Sequence, residues 1–258
     1  MIATFKQFLL NEDAISKFKY DPLETTKEVA AAIKKHCGQA WTAYQAGPRI
    51  FRGWKGEREM GIYDPKSGQR TSKNTTNHYT ALLDTNPKNH GWPARANSFI
   101  CTTQRGTAAG YGTPYHIFVF DDTEIGETNT DDIWHLRLYF PGLNFQVSIV
   151  DFNKFWDRID APETNMKDMI QHVKQAGPKL ILTELEKRNY APPAGMSAEE
   201  VVELLISDIP KAYSFSGLEC TLNKIESLGK GEVWFSGKCI MVPVDKMTEI
   251  WAAMKGLE

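Results

Sequence analysis

Three short segments carry the side chains most able to do chemistry, and they lie far apart in the chain. Arg52 stands in Arg49-Ile50-Phe51-Arg52-Gly53-Trp54, and a hydroxyl cluster in Ser98-Phe99-Ile100-Cys101-Thr102-Thr103. Glu232 opens Glu232-Val233-Trp234-Phe235. Each reads as a β-type run with one polar group among apolar neighbours. An arginine fork matches phosphate oxygens in two bonds. Short hydroxyls on a strand beside a pocket orient a sugar or an amide. A carboxylate stabilises positive charge that develops during bond cleavage. Together they describe a nucleotide site.

Each residue also has a plainer reading. Arg52 could sit on a solvent face or pair with a carboxylate, the threonines could cap a helix, and Glu232 could be a strand-edge residue in water. Against the last stands its place beside tryptophan in an apolar strand, where a carboxylate is costly without partners or a task. Gly53 ends its strand where a backbone or a ligand could come close.

The order arginine, serine or threonine, glutamate resembles the mono-ADP-ribosyltransferase family. There a strand of the form F-x-S-T-S runs into a helix carrying A-x-x-F or A-x-x-Y. Phe99-Ile100-Cys101-Thr102-Thr103 followed by Ala108-Ala109-Gly110-Tyr111 is similar, with Cys101 and Thr103 in the two serine places. The resemblance implies NAD as co-substrate, with Arg52 and Gly53 at its phosphates and Ser98, or Thr102 and Thr103, ordering the pocket. It further implies that Tyr111 stacks on the nicotinamide and that Glu232 is catalytic. Leu222 to Lys230 is similar to the family's target-recognition loop. Arginine-modifying members carry E-x-E or Q-x-E, but Lys230 stands two places before Glu232. The acceptor is therefore left open between protein and nucleic acid, and Lys230 suits a phosphate-bearing target.

The fold that the resemblance implies is α+β, a pair of packed, mostly antiparallel sheets with flanking helices and NAD in the cleft. Residues 13–258 then form one domain, with a helical insertion at about 160–210. Strands are expected at 49–54, 98–103, 115–120, 145–151, 232–236 and 238–243, the last two as a tight hairpin across Ser236-Gly237. Capping boxes at Thr25-Glu28 and Ser197-Glu200 open helices, the first ending at Gly38. A further helix runs from Asn165 to Gln175. Residues 63–95, rich in Asn, Thr, Lys and Pro but holding Tyr79 and Trp92, read as a long functional loop.

Residues 1–12 read in two ways. They form a small amphipathic helix with Phe5, Phe8 and Leu9 on one side, or a cleavable leader. The second reading rests on resemblance to head-packaged proteins of large tailed phages, with Leu10-Asn11-Glu12 as the cleavage tripeptide. It implies carriage in a virion and action in the host cytoplasm.

With 258 residues, 41% apolar and 24% charged, the composition is that of an ordinary globular chain. A formal net charge of -2 is no footprint of a general nucleic-acid binder. No apolar run approaches the ~18 residues of a membrane span. Four scattered cysteines make no disulfide framework and read as reduced and buried, and the six histidines have no metal-ligand spacing. Two rivals remain. A phage nucleic-acid enzyme such as a base-excising glycosylase would use Glu232 in similar chemistry, with Arg58, Lys66, Arg70, Lys73, Lys88 and Arg95 gripping a strand. A non-catalytic head protein would use none of them.

Overall fold

In the computed structural model, residues 18–56, 59–68, 76–85, 91–133, 136–212 and 220–257 are described. The 1–12 segment and the loop cations Arg58, Arg70, Lys73 and Lys88 lie outside them. The chain is of α+β type and divides into two compact units. The first comprises Met1–Thr71, Trp92–Asp132 and Cys220–Glu258, the second Ser72–Gly91 and Ile133–Glu219. The helical insertion expected at 160–210 is thus part of a larger body.

The first unit is built on nine antiparallel strands: β1 (Lys19–Pro22), β2 (Ile50–Trp54), β3 (Gly61–Asp64), β4 (Phe99–Thr102), β5 (Thr113–Val119), β6 (Ile125–Thr128), β9 (Cys220–Asn223), β10 (Glu232–Phe235) and β11 (Cys239–Pro243). Their order is β1-β3-β11-β5-β2-β4-β10-β6-β9. Where the sequence reading predicts a pair of packed sheets, the strands join in one ladder. Its halves meet at β2 and β4, which share the single residue pair Phe51 and Thr102.

The expected hairpin is corrected here, because β10 and β11 do not pair. Strand β10 lies between β4 and β6, and β11 between β3 and β5. Both strands are almost wholly buried, so each needs neighbours on two edges, and the Ser236-Gly237 link crosses between the halves.

Helix α1 (Thr26–His36) starts with the predicted capping box and buries Val29, Ala30 and Ile33. Gly38 does not end a helical region; it starts α2 (Gly38–Ala46). Asp121 makes this possible by accepting from the exposed amides of Gly38 and Gln39, a cap supplied from 83 and 82 residues away. Helix α4 (Arg105–Tyr111) follows β4, and α9 (Met247–Lys255) closes the chain.

The second unit holds α3 (His78–Asp84), the hairpin β7 (Arg137–Phe140) and β8 (Phe145–Ser148), and helices α5 (Ile149–Arg158), α6 (Met166–Ala176), α7 (Pro178–Glu186) and α8 (Ala198–Asp208). The 145–151 strand stops early because Ser148 caps α5, accepting from the Asp151 amide at 3.1 Å. The 63–95 stretch is not one loop: α3 sits inside it with His78 through Leu83 buried. A short helix buried all round carries no amphipathic period, so the pattern hides it.

Candidate functional site

Directly opposed residues of neighbouring strands share a face of the sheet. His116 opposes Phe51, Phe51 opposes Thr102, and Thr102 opposes Glu232. These four therefore make one row across β5, β2, β4 and β10. Arg52 is one residue beyond Phe51, so it belongs to the other face with Ile50 and Trp54. Its guanidinium is buried, donates to the Ile100 carbonyl, and lies 5.4 Å from the Trp54 ring and 5.2 Å from the Phe99 ring. The expected grouping of Arg52 with Glu232 is corrected by this register: Thr102 and Glu232 come together, and Arg52 bridges β2 to β4 on the opposite side.

Glu232 is 5% exposed. Its amide donates to Thr130 at 2.6 Å, and its carboxylate forms an ion pair with Arg95, which is 1% exposed. Arg95 comes from the 3-10 turn Arg95–Asn97 that leads into β4, and its guanidinium lies 5.0 Å over the Trp234 ring. The Trp234 indole donates to the Pro93 carbonyl at 2.7 Å. Gly126, directly opposite on β6, makes room for it, since any Cβ there would run into the indole. The arginine that meets the glutamate is thus Arg95, which the sequence reading counts only as a loop cation. Its place beside Trp92 and Pro93, just ahead of an apolar strand, is the one local sign.

The hydroxyls have separate tasks. Thr102 Oγ1 accepts from the Gln104 amide at 3.1 Å, and its side chain shares the Glu232 face. Thr103 clamps the start of β10: its amide donates to Gly231 at 3.0 Å and its hydroxyl accepts from the Gly231 amide at 2.9 Å. Ser98, fully buried, donates to Ala94 at 2.7 Å and closes the turn before β4, away from the row. Tyr111 donates to the buried Asp132. Gly53 does allow a close approach, but by the α4 backbone: a Cβ there would collide with the Ala108 carbonyl.

Glu127 is a positioning residue that the sequence reading misses. Buried on β6, it accepts from the Gly229 amide at 2.6 Å through Oε1 and from the Asn223 side chain through Oε2. It ties down both ends of the segment that precedes Glu232.

At the far end of the row, burial pushes the His116 imidazole down to about 4, and the nearby Arg49 and Arg105 charges push the same way. The side chain is therefore neutral at pH 7. Cys37, Cys101 and Cys239 are free and buried, and burial raises the Cys37 and Cys239 thiols, so neither of those two is an activated nucleophile.

No protein-family model matches this chain, and neither curated proteins nor solved structures provide a match. Among the described residues, no helix is long and apolar enough to cross a membrane, and no cluster of three or more His, Cys, Asp or Glu could hold a metal.

Proposed function

We propose that the chain transfers ADP-ribose from NAD to a macromolecular acceptor, protein or nucleic acid, with Glu232 as the catalytic carboxylate. The observation that carries this reading is the pairing of Thr102 with Glu232 on adjacent strands of one sheet face. Glu232 faces the positive charge that develops on the ribose as the bond to nicotinamide breaks, and Thr102 orients the sugar. Oε1 takes part in the Arg95 pair. The carboxylate is the group this reading assigns to a ribose hydroxyl. Tyr111, at the end of α4, supplies the aromatic surface, and the segment pinned by Glu127 meets the acceptor.

Thr102, Tyr111 and Glu232 are the residues this reading assigns to the nicotinamide end of NAD. Arg52, on the opposite face and bonded to Ile100, does not fit the phosphate end; in this reading it holds β2 to β4. The phage reading of residues 1–12 adds action in a host cytoplasm after delivery from the virion. Arg95, one of the cations that the glycosylase reading counts as gripping a strand, is instead an internal partner of Glu232.

The test is release of nicotinamide from NAD by the purified protein, with labelled NAD and a cell extract to reveal the acceptor. Release should fall ~100-fold in Glu232→Gln, the size of loss seen when one electrostatic stabiliser is removed. Folded wild-type protein that neither binds nor consumes NAD would overturn the proposal.

A further inference from the structure

The row that runs from His116 to Glu232 is buried, and α4 is part of its cover. Phe51 and Gly53 lie two residues apart on β2 and so share a face. Over Gly53 the α4 backbone comes so close that any Cβ there would collide with the Ala108 carbonyl. The helix packs on β2, β4 and β5. With it in place, Phe51, Thr102 and His116 are only 5–6% exposed.

This cover fits closely but is weakly held. Within α4 Ala108 alone is buried, while Arg105, Gly106, Ala109 and Gly110 face water. A seat made by glycine brings backbone against backbone and removes little apolar side chain from solvent. Gly106 and Gly110 also have no packing reason to be glycine. Both are helical, and a methyl group at either would meet no described atom within 4 Å. Each lowers the stability of the helix relative to alanine. Gln104, at the N-cap, makes no side-chain capping bond. A segment with few buried apolar contacts and exposed backbone bonds opens more readily than the core beneath it.

Two ties hold the helix down, and both lead to one place. The Gln104 side chain donates to Asp131, and the Tyr111 hydroxyl donates to Asp132, so adjacent carboxylates fasten its two ends. Just past the helix Gly112 has a φ of 139°, a backbone state that favours glycine and suits a hinge.

We propose that α4 is a lid over the Phe51–Thr102 part of the row, latched at both ends by Asp131 and Asp132, that opens as a unit while the sheet stays folded. Gly106 and Gly110 keep it able to open. That the opening admits NAD rests on the transferase reading above; the opening itself does not.

Native-state hydrogen exchange tests the lid. The amides of Ala108 and Gly112, bonded to the Gln104 and Ala109 carbonyls, are compared with those of β5. In wild type the α4 amides should share one opening equilibrium and exchange at least about tenfold faster than β5. Gly106→Ala/Gly110→Ala, which fits the fold as it stands, should slow them about four- to thirtyfold. Tyr111→Phe, which keeps the ring and cuts one tie, should speed them ~10-fold. If substrate enters through the lid, kcat/KM for nicotinamide release falls in the glycine variant by the same factor as the open population. Exchange of α4 only together with β5, or at an unchanged rate in the glycine variant, would overturn the lid. Opening that responds to both variants in a protein that never consumes NAD would uphold the lid and sink the transferase reading. NAD turnover with unchanged kcat/KM in a glycine variant whose α4 exchange has slowed would keep that reading and overturn the lid as its entrance.

Discussion

Among the described residues, each unit has a glutamate buried against arginine, and the two are built differently. In the second unit Glu184 is 3% exposed on α7 and is met by Lys187 and Arg188, three and four residues on, and by Arg158 at 3.3 Å. Arg158 and Lys187 are about half exposed, so three cations serve one acid and two of them reach water. In the first unit the ion-pair partner of Glu232 is Arg95, 137 residues away in sequence, and both are buried. An acid with helix-local cations is a brace whose cost of burial is met where it stands. An acid that heads a β-strand and needs a distant turn to neutralise it is positioned by the whole sheet. Placing it demands far more of the fold than a brace between neighbouring helical residues does.

Removing the charge from each should separate the two roles. Glu232→Gln leaves Arg95 buried without its counter-charge, and stability should fall by about 3–5 kcal/mol. Nicotinamide release per folded molecule should fall ~100-fold as well. Glu184→Gln leaves cations that can turn to water, so the loss should be only about 1–2 kcal/mol, with release unchanged. Urea unfolding and a nicotinamide assay on both variants decide it. If release falls equally in both, Glu232 is a brace like its counterpart.

Acid should act on His116 and Glu184 in different windows. The folded pKa of His116 is about 4, below its ordinary 6.5. As pH falls through 6.5 the unfolded chain takes up a proton that the folded chain refuses. The His116 contribution is therefore whole above about 6.5 and is lost progressively down to about 4. The loss amounts to about 3 kcal/mol. For Glu184 burial pushes the carboxyl up, but hydrogen bonds from Lys187, Arg158 and Arg188 outweigh it and leave the pKa below the ordinary 4.5. Its contribution is whole above 4.5 and fails only as pH falls through that lower value. Urea midpoints at pH 7 and 4.5 should thus differ less in His116→Phe than in wild type. His78, in the second unit, is also pushed below its ordinary value by burial, so the difference between the two proteins is the quantity to read. An unchanged pH slope in the variant would mean that His116 is not held neutral.

The parts legible from sequence are those whose causes are local. The Thr25–Glu28 and Ser197–Glu200 capping boxes form as written, because four adjacent residues satisfy each other. Strands β2, β4, β5, β10 and β11 lie within the predicted segments or within two residues of them. The α+β class follows from them, while the finer family likeness stays with the proposal. What sequence hides is partnership at a distance. The Asp121 cap on α2, the Arg95 pair and the placing of β10 and β11 in different halves of the ladder each depend on chain far away. The face of Arg52 was readable and is easily missed. Period-two alternation already sets Ile50, Arg52 and Trp54 on one side, and attention to a lone charge obscures the two aromatic and aliphatic neighbours that share its face.

The finest division within the comparison is between Thr102 and Thr103, adjacent hydroxyls on opposite sides of the chain. Thr102 opposes Glu232, whereas Thr103 exchanges hydrogen bonds with Gly231 and so fixes where β10 begins. Thr102→Val keeps the shape and removes a hydroxyl that accepts from the Gln104 amide. It should cost about 1 kcal/mol of stability and lower kcat for nicotinamide release ~10-fold, with KM little changed. This is the pattern of a group that acts in the transition state rather than in binding. Thr103→Val should cost a similar amount of stability but leave kcat within about twofold, so long as β10 keeps its register. The same kcat loss in both variants would mean that the hydroxyls matter only as fasteners of β4 to β10, and that Glu232 works without a neighbour to order the sugar.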